Sequence, residues 1–488
     1  MIKYISTRNK DISVSGSEAV LHGQASDGGL FVPESIEALP LDYHEVIACD
    51  DFKGMAKVIW NHFFDDYGKE VIDELVEKSY TGKFSSEDVT PLVKVGDDFV
   101  LELYHGPTSA FKDVALSALP NLLTKAREMN GVNDTILILT ATSGDTGSAA
   151  MAGFSGVPGT GIIVFYPDGG TSETQRLQMV TDAGSNTKAC AIRGNFDDAQ
   201  NGVKKIFREV DHPTEGVSLS SANSINIGRL VPQIVYYYSA YKQLLDMGEI
   251  ADGDKVDFVV PTGNFGDIMA GYFAYRMGLP IRRLVCASNK NDVLTDFIST
   301  GYYNRKRDFY KTTSPSMDIL ISSNLERLLY YVCGEAHTAS YMKLLEEEGE
   351  YNITPAELAE IKSVFTGMCA TDKEGAMAIK MTYERLKYLM DTHTSIAWAC
   401  LRKYKKNDGV PAVVLSTASP YKFCSSVLEA LGLELTGSDK TDMEACYEYT
   451  KAPIPKGLAG IWDRAVIHND VIDPADMKQY VIDNSAQK

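Results

Sequence analysis

The stretch His105-Gly106-Pro107-Thr108-Ser109-Ala110-Phe111-Lys112-Asp113 carries the most chemistry in this chain. Gly-Pro followed by hydroxyl residues breaks the backbone, and the apolar run after Asp113 predicts a partly buried helix that starts at Lys112. An ammonium in such a place is costly to desolvate. Its pKa falls, and the neutral amine becomes available to attack a carbonyl and form a Schiff base. The same position also suits an ordinary helix-start lysine whose charge reaches solvent.

Two glycine-rich turns follow apolar strands. The first is Thr140-Ala141-Thr142-Ser143-Gly144-Asp145-Thr146-Gly147 and the second is Pro261-Thr262-Gly263-Asn264-Phe265-Gly266-Asp267, each leading into a helix. A strand, a glycine turn and a helix N-terminus present convergent amides to an anion. In the second turn, Gly263 and Gly266 allow the close backbone approach that a phosphate needs. Many such turns carry glycine only for a tight connection. Neither turn has the G-K-[ST] of a nucleotide loop, and neither is a G-x-G-x-x-G dinucleotide fingerprint. One candidate amine and two anion turns point together to an anionic cofactor.

The elements that position these residues are legible as apolar runs. Thr135–Leu139, Gly161–Tyr166 and Lys188–Ile192 read as strands, with helices through Ala149 and Ala150, around 175–180 and near 199–210. Val256–Val260 and Arg283–Ala287 bracket a further helix, about 324–406 is mostly helical by periodicity, Val413–Leu415 is a late strand, and the chain ends in an acidic helical tail. Buried strands alternating with helices predict an α/β fold with parallel sheets. We expect an N-terminal region over 1–100, a smaller α/β domain with the Lys112 segment over 101–230, and a larger one with the second turn over 231–488.

Composition narrows the class. With 488 residues, 44% of them hydrophobic, the chain can bury a large core. A net charge of -19 argues against nucleic acid and anionic membrane surfaces as partners. No run approaches a membrane span, and Met1–Arg8 lacks the features of a secretory signal, so we expect a cytoplasmic protein. The eight cysteines include no C-x-x-C pair and the eight histidines no H-x-x-x-H, which makes a metal site improbable.

The motifs around Lys112, Thr140–Gly147 and Pro261–Asp267, with Ser221-Ala222-Asn223-Ser224-Ile225-Asn226 between them, occur in the order found in threonine synthases. The chain resembles the longer subgroup typified by fungal and enterobacterial enzymes. The likeness runs from Ser6-Thr7-Arg8, Glu18–Gly23 and Asp27–Pro33 to Ser416–Phe423. It implies the tryptophan-synthase β-type fold (fold type II), with parallel-sheet domains, helices on both faces and a helical C-terminal region. It implies pyridoxal 5'-phosphate as cofactor, attached to Lys112, with its phosphate on Gly263, Asn264, Phe265 and Gly266 and its pyridine nitrogen facing Thr417. Thr108, the Ser143-Gly144-Asp145-Thr146-Gly147 turn and the Asn223-Ser224-Ile225-Asn226 loop fall on the substrate side. Arg229 and Lys422 are the candidate cations for a substrate phosphate, arginine being favoured for bidentate contacts. Asn9, Thr392 and Ser419 depart from the family's commonest residues, and His393 reads equally as a buried, satisfied histidine.

The reaction implied converts O-phospho-L-homoserine and water to L-threonine and phosphate. The cofactor acts as electron sink and one mobile lysine serves several proton transfers. A phospho-lyase giving 2-oxobutyrate, or a serine/threonine dehydratase, would share the lysine and the glycine cradle. A non-catalytic binding protein of the same fold would not need an intact Lys112.

Overall fold

Strands that stay apolar at every position must be covered on both faces, and such runs here form the inner strands of two largely parallel sheets. The computed structural model describes residues 1–36, 41–210, 212–404 and 408–485. In the large sheet the spatial order is Phe365–Cys369, Ile281–Ser288, Val256–Pro261, Ala412–Ser416, Asp98–Glu102 and Leu92–Val95. Every neighbouring pair is parallel except the hairpin formed by the last two. In the small sheet the order is Asp470–Ile472, Thr187–Ile192, Thr160–Pro167, Thr135–Ala141 and Val217–Ser220, all parallel. Both central strands, Thr160–Pro167 and Val256–Pro261, are buried along their whole length.

Helix Ile227–Asp246 connects the two sheets and packs on helices Phe52–Phe63, Gly266–Arg276 and Lys112–Leu116. Its tyrosines Tyr236, Tyr237, Tyr238 and Tyr241 are fully buried. At the N-terminus, Tyr4–Ser6 pairs antiparallel with Ser13–Val14 and with Phe31–Pro33. This small sheet is fastened to a distant helix, Leu325–Glu347. Thr7 donates its hydroxyl to Glu326 at 2.6 Å, and Arg8 makes a two-pronged pair with the same carboxylate at 2.8 and 2.9 Å.

Two departures from the sequence-based expectation lie in the second half. The stretch 324–406 does contain helices Leu325–Glu347, Pro355–Val364, Asp372–Leu386 and Thr392–Tyr404, but Glu350–Asn352 and Phe365–Cys369 are strands. Phe365–Cys369 leaves a helix without an intervening turn and lies at the edge of the large sheet, so it shows neither a turn signal nor a buried apolar run. The acidic tail ends in helix Met477–Asn484, yet Asp470–Ile472 before it adds a strand to the small sheet. No described helix is long and apolar enough to cross a membrane.

Candidate active site

Strand Ala412–Ser416 ends inside the large sheet, and its next residues pair with the segment that delivers Lys112. Phe111 donates its N–H to the Thr417 carbonyl at 2.8 Å, Ser419 donates to the Ser109 carbonyl at 3.0 Å, and Ala110 bridges Ala418. Helix Lys112–Leu116 then starts at the lysine. Lys112 is only 7% exposed. Burial pulls its amine down to about 8, against the attraction of Asp145 and with the repulsion of Arg229 and Lys422.

Asp145, first residue of helix Asp145–Phe154, is the charged centre of the site. One carboxylate oxygen receives Lys422 Nζ at 2.8 Å and Gln175 Nε2 at 2.8 Å. The other lies 3.6 Å from Lys112 Nζ and accepts from the Ser316 hydroxyl at 3.4 Å. Burial alone would raise this carboxyl, but the Lys422 and Lys112 ammoniums hold it well below the usual carboxylate range. Lys422 is fully buried and also donates to the Thr108 carbonyl at 2.9 Å.

The second glycine turn is built as an anion cradle. Phe265 adopts a left-handed conformation, φ 61°, ahead of helix Gly266–Arg276. Among the described residues, the backbone N–H groups of Asn264, Phe265, Gly266 and Asp267 have no protein acceptor. Successive amides in this geometry form a concave anion site at a helix N-terminus. A Cβ on Gly263 would lie 2.5 Å from the Ser316 carbonyl oxygen, so glycine is required there. Ser316 thus touches this turn with its carbonyl and Asp145 with its hydroxyl, which places cradle and lysine on one cleft. The first turn is different. The N–H groups of Gly144 and Gly147 both go to Thr142 Oγ1 at 2.9 Å, leaving fewer amides for a ligand than the spacing suggests.

The other candidates divide clearly. Arg229 is buried, donates to the Ala222 carbonyl at 2.6 Å, and leaves Nε without a partner. No carboxylate pairs with it among the described residues, and burial lowers its guanidinium to about 10. Thr108 donates its N–H and hydroxyl to Asp113 at 2.8 and 2.6 Å. Ser143, Thr146 and Ser224 are half-buried, Asn223 is exposed, and Thr417 is buried at the strand end. Asn226 faces away from ligand chemistry: it caps helix Ile227–Asp246 and donates to the Val20 carbonyl at 2.9 Å. His393 is buried with both ring nitrogens engaged, Nδ1 to Asp391 at 2.9 Å and Nε2 accepting the Ser316 N–H at 3.1 Å.

Sequence reasoning singled out neither Gln175, Ser316, Asn324 nor Asp267. Asp267 follows the cradle as the last residue of its motif. It is buried, accepts from the Tyr236 and Tyr237 hydroxyls on one oxygen, and has no partner on the other. Burial, resisted by those hydroxyls and by the Lys112 charge, pushes its carboxyl up to about 7.

Comparison with known proteins gives this geometry a family. Residues 3–80 match the description "Threonine synthase N terminus", 86–416 match "Pyridoxal-phosphate dependent enzyme", and 394–481 match "Threonine synthase, C-terminal". The threonine synthase of Pseudomonas aeruginosa is 38% identical over 441 residues, 88% of this chain and 90% of that one. The chain belongs to the threonine synthase family. Human Threonine synthase-like 1 is 35% identical over 463 residues, which cover 90% of this chain but only 61% of the longer human protein. The crystal structure of pyridoxal-phosphate-bound threonine synthase from Brucella melitensis superposes with a TM-score of 0.88 at 36% identity, covering 100% of both chains. The fold is therefore that of threonine synthases, a fold type II pyridoxal-phosphate enzyme.

The residues present fit that cofactor. A phosphorylated aldehyde needs an amine that loses its proton readily and a separate nest of amides for its phosphate. Lys112 and the Asn264–Asp267 amides supply the two on one cleft.

Proposed function

We propose that the protein is a threonine synthase, a carbon–oxygen lyase that converts O-phospho-L-homoserine and water to L-threonine and phosphate, the last step of threonine formation. The observation that carries the substrate choice is Arg229. A buried guanidinium that has no carboxylate and, unlike one whose donors are all satisfied by carbonyls, leaves Nε unpartnered costs stability unless an anion arrives to share the site, and Arg229 stands close enough to repel Lys112. The cofactor phosphate has its own cradle, and a substrate carboxylate can use the amides of Asp145 and Thr146 at their helix start, which have no protein acceptor among the described residues. Arg229 is then the group for a substrate phosphate, which a hydroxy-amino acid lacks. Lys422 is the weaker candidate because its ammonium is committed to Asp145 and Thr108.

Bound pyridoxal phosphate supplies the electron sink for charge developing at Cα. Lys112 would hold it and, freed when the substrate amine takes its place, would take the proton from Cα and help remove one from Cβ. Phosphate would depart from Cγ toward Arg229, a proton would return to Cγ, water would add at Cβ with its second proton passing to the phosphate, and Lys112 would return a proton to Cα and take its own place on the cofactor again as threonine leaves. Asp145 stays ionised throughout and keeps Lys422 and Lys112 in place. Thr417 would be the residue that meets the pyridine nitrogen, where its hydroxyl could donate or accept. Gly263 to Gly266 receive the cofactor phosphate, while Thr108, Ser143, Asn223 and Ser224 line the substrate side. Eight free cysteines, scattered along the chain, support residence in a reducing compartment such as the cytoplasm.

Product analysis tests the reading. Given O-phospho-L-homoserine, the protein should release threonine and phosphate in equal amounts, and Arg229→Gln should raise KM at least tenfold. Phosphate with 2-oxobutyrate as the main product would instead indicate a phospho-lyase.

A further inference from the structure

Helix Leu325–Glu347 begins with a residue that forgoes its local role. Asn324 occupies the N-cap position, where asparagine ordinarily accepts from the first-turn amides, but its side chain makes no cap bond. Its Nδ2 instead donates to Ser224 Oγ at 3.0 Å and to the Asn264 carbonyl at 3.0 Å, and its Oδ1 receives Arg327. Arg327 is fully buried. Its Nε donates to the Phe31 carbonyl at 3.1 Å, Nη1 to the Ser224 carbonyl at 3.5 Å and Nη2 to the Ile225 carbonyl at 2.5 Å.

We propose that Arg327, acting with Asn324, is a positioning residue that fixes the Ser224–Ile225 loop against the Asn264–Gly266 turn, and so sets the spacing between the substrate side and the cofactor side of the cleft. The inference rests on reading that turn as the cofactor's phosphate cradle. The physical argument concerns shape. A planar fork with five donors can hold backbone carbonyls of two distant segments and the Asn324 side-chain oxygen at once, and neither lysine nor a neutral amide can reproduce this. The segments around residues 31 and 224–225 are far from Arg327 in sequence, and Asn324, three residues before it, links the 224–225 loop to the Asn264 turn. Their carbonyl dipoles hold the Arg327 charge with no carboxylate on the fork among the described residues, since Glu326 is taken by Thr7 and Arg8. Burial lowers this guanidinium only to about 10, so it remains charged at neutral pH. Loss of the fork leaves buried carbonyls unsatisfied and frees the loop to move relative to the cradle.

Two variants test this in the full-length, cofactor-loaded protein. Arg327→Lys keeps the charge and removes the fork. Asn324→Asp keeps an oxygen for Arg327 but places an acceptor where Asn264 and Ser224 receive donors. For each, pyridoxal-phosphate affinity is read by equilibrium dialysis, KM and kcat with O-phospho-L-homoserine by phosphate release, and folding by thermal melting. The expected result is roughly tenfold or greater weakening of cofactor affinity and a rise in KM in both variants, with Asn324→Asp melting within a few degrees of wild type. If Arg327→Lys does not fold, Asn324→Asp carries the test, because it leaves the buried charge better compensated. Wild-type affinity and KM in Asn324→Asp would overturn the inference, as would losses no larger than the melting shift explains. Wild-type protein that takes up no pyridoxal phosphate would sink the cradle reading itself, a result distinguishable from either.

Discussion

Phe111 and Thr417 share one backbone hydrogen bond of 2.8 Å, and through it the residue before the candidate anchor lysine is locked to the end of a central strand. Lys112 and the Thr417 hydroxyl are thereby held on a common rigid frame, not on separate loops. Sites carried by regular elements keep their geometry better than sites on loops. Thr417→Val preserves the β-branched shape and this backbone bond while deleting the hydroxyl. One hydrogen bond is worth about 0.5–1.5 kcal/mol, so kcat/KM should fall roughly two- to tenfold with the melting temperature held. A variant as active as wild type would separate Thr417 from the ring nitrogen.

Lys112 gives a pH-dependent signature in the cofactor-free protein. Its amine lies near 8 when folded, below the ordinary 10.5 of the unfolded chain. Between those values the unfolded chain binds more protons, so this group's contribution to stability rises with pH across that window and is least favourable below it. Lys112→Met should therefore be more stable than wild type at pH 7, with the difference shrinking toward pH 10 in denaturant titrations. The same variant should not retain the cofactor covalently and should not turn over. A stability difference independent of pH would show that the amine is not perturbed.

Asp145 and Lys422 form a fully buried pair at 2.8 Å. Removing one partner strands the other charge, at a cost of about 3–5 kcal/mol, while replacing both with apolar groups is often close to neutral. Lys422→Met alone should destabilise strongly, and Asp145→Leu/Lys422→Met should recover most of the loss. Activity should be absent from the double variant, because Lys112 loses its carboxylate neighbour. A denaturant-based double-mutant cycle measures the coupling, and additive losses would mean that the two charges act independently.

Much of this site can be read from residue order because its parts are local. A buried parallel strand appears as an apolar run, and the cradle follows Val256–Pro261 within a few residues. Lys112 at a helix start is equally local. What residue order conceals is decided by partners distant in the chain. Phe365–Cys369 became a strand because Ile281–Ser288 offered an edge, against a helical background. The Thr142 hydroxyl consumed two amides of the first turn, which glycine spacing alone cannot reveal. Asn324 looks like an ordinary helix cap until Asn264 and Ser224, 60 and 100 residues away, are seen beside it.

The staple between Arg8 and Glu326 spans 318 residues of sequence. During translation at roughly 5–20 residues per second, the first strands wait on the order of tens of seconds before their anchoring carboxylate has even been synthesised. The stretch 135–220 carries four of the five small-sheet strands, which emerge in that interval with each other at hand, although the edge strand Asp470–Ile472 follows only at the end. The large sheet has no such freedom, since its inner strand Ala412–Ser416 arrives near the end. The cleft therefore matures late in biogenesis. A truncated or stalled chain presents a small sheet that lacks only its edge strand and a large sheet that lacks an inner one, a species for chaperones to shelter.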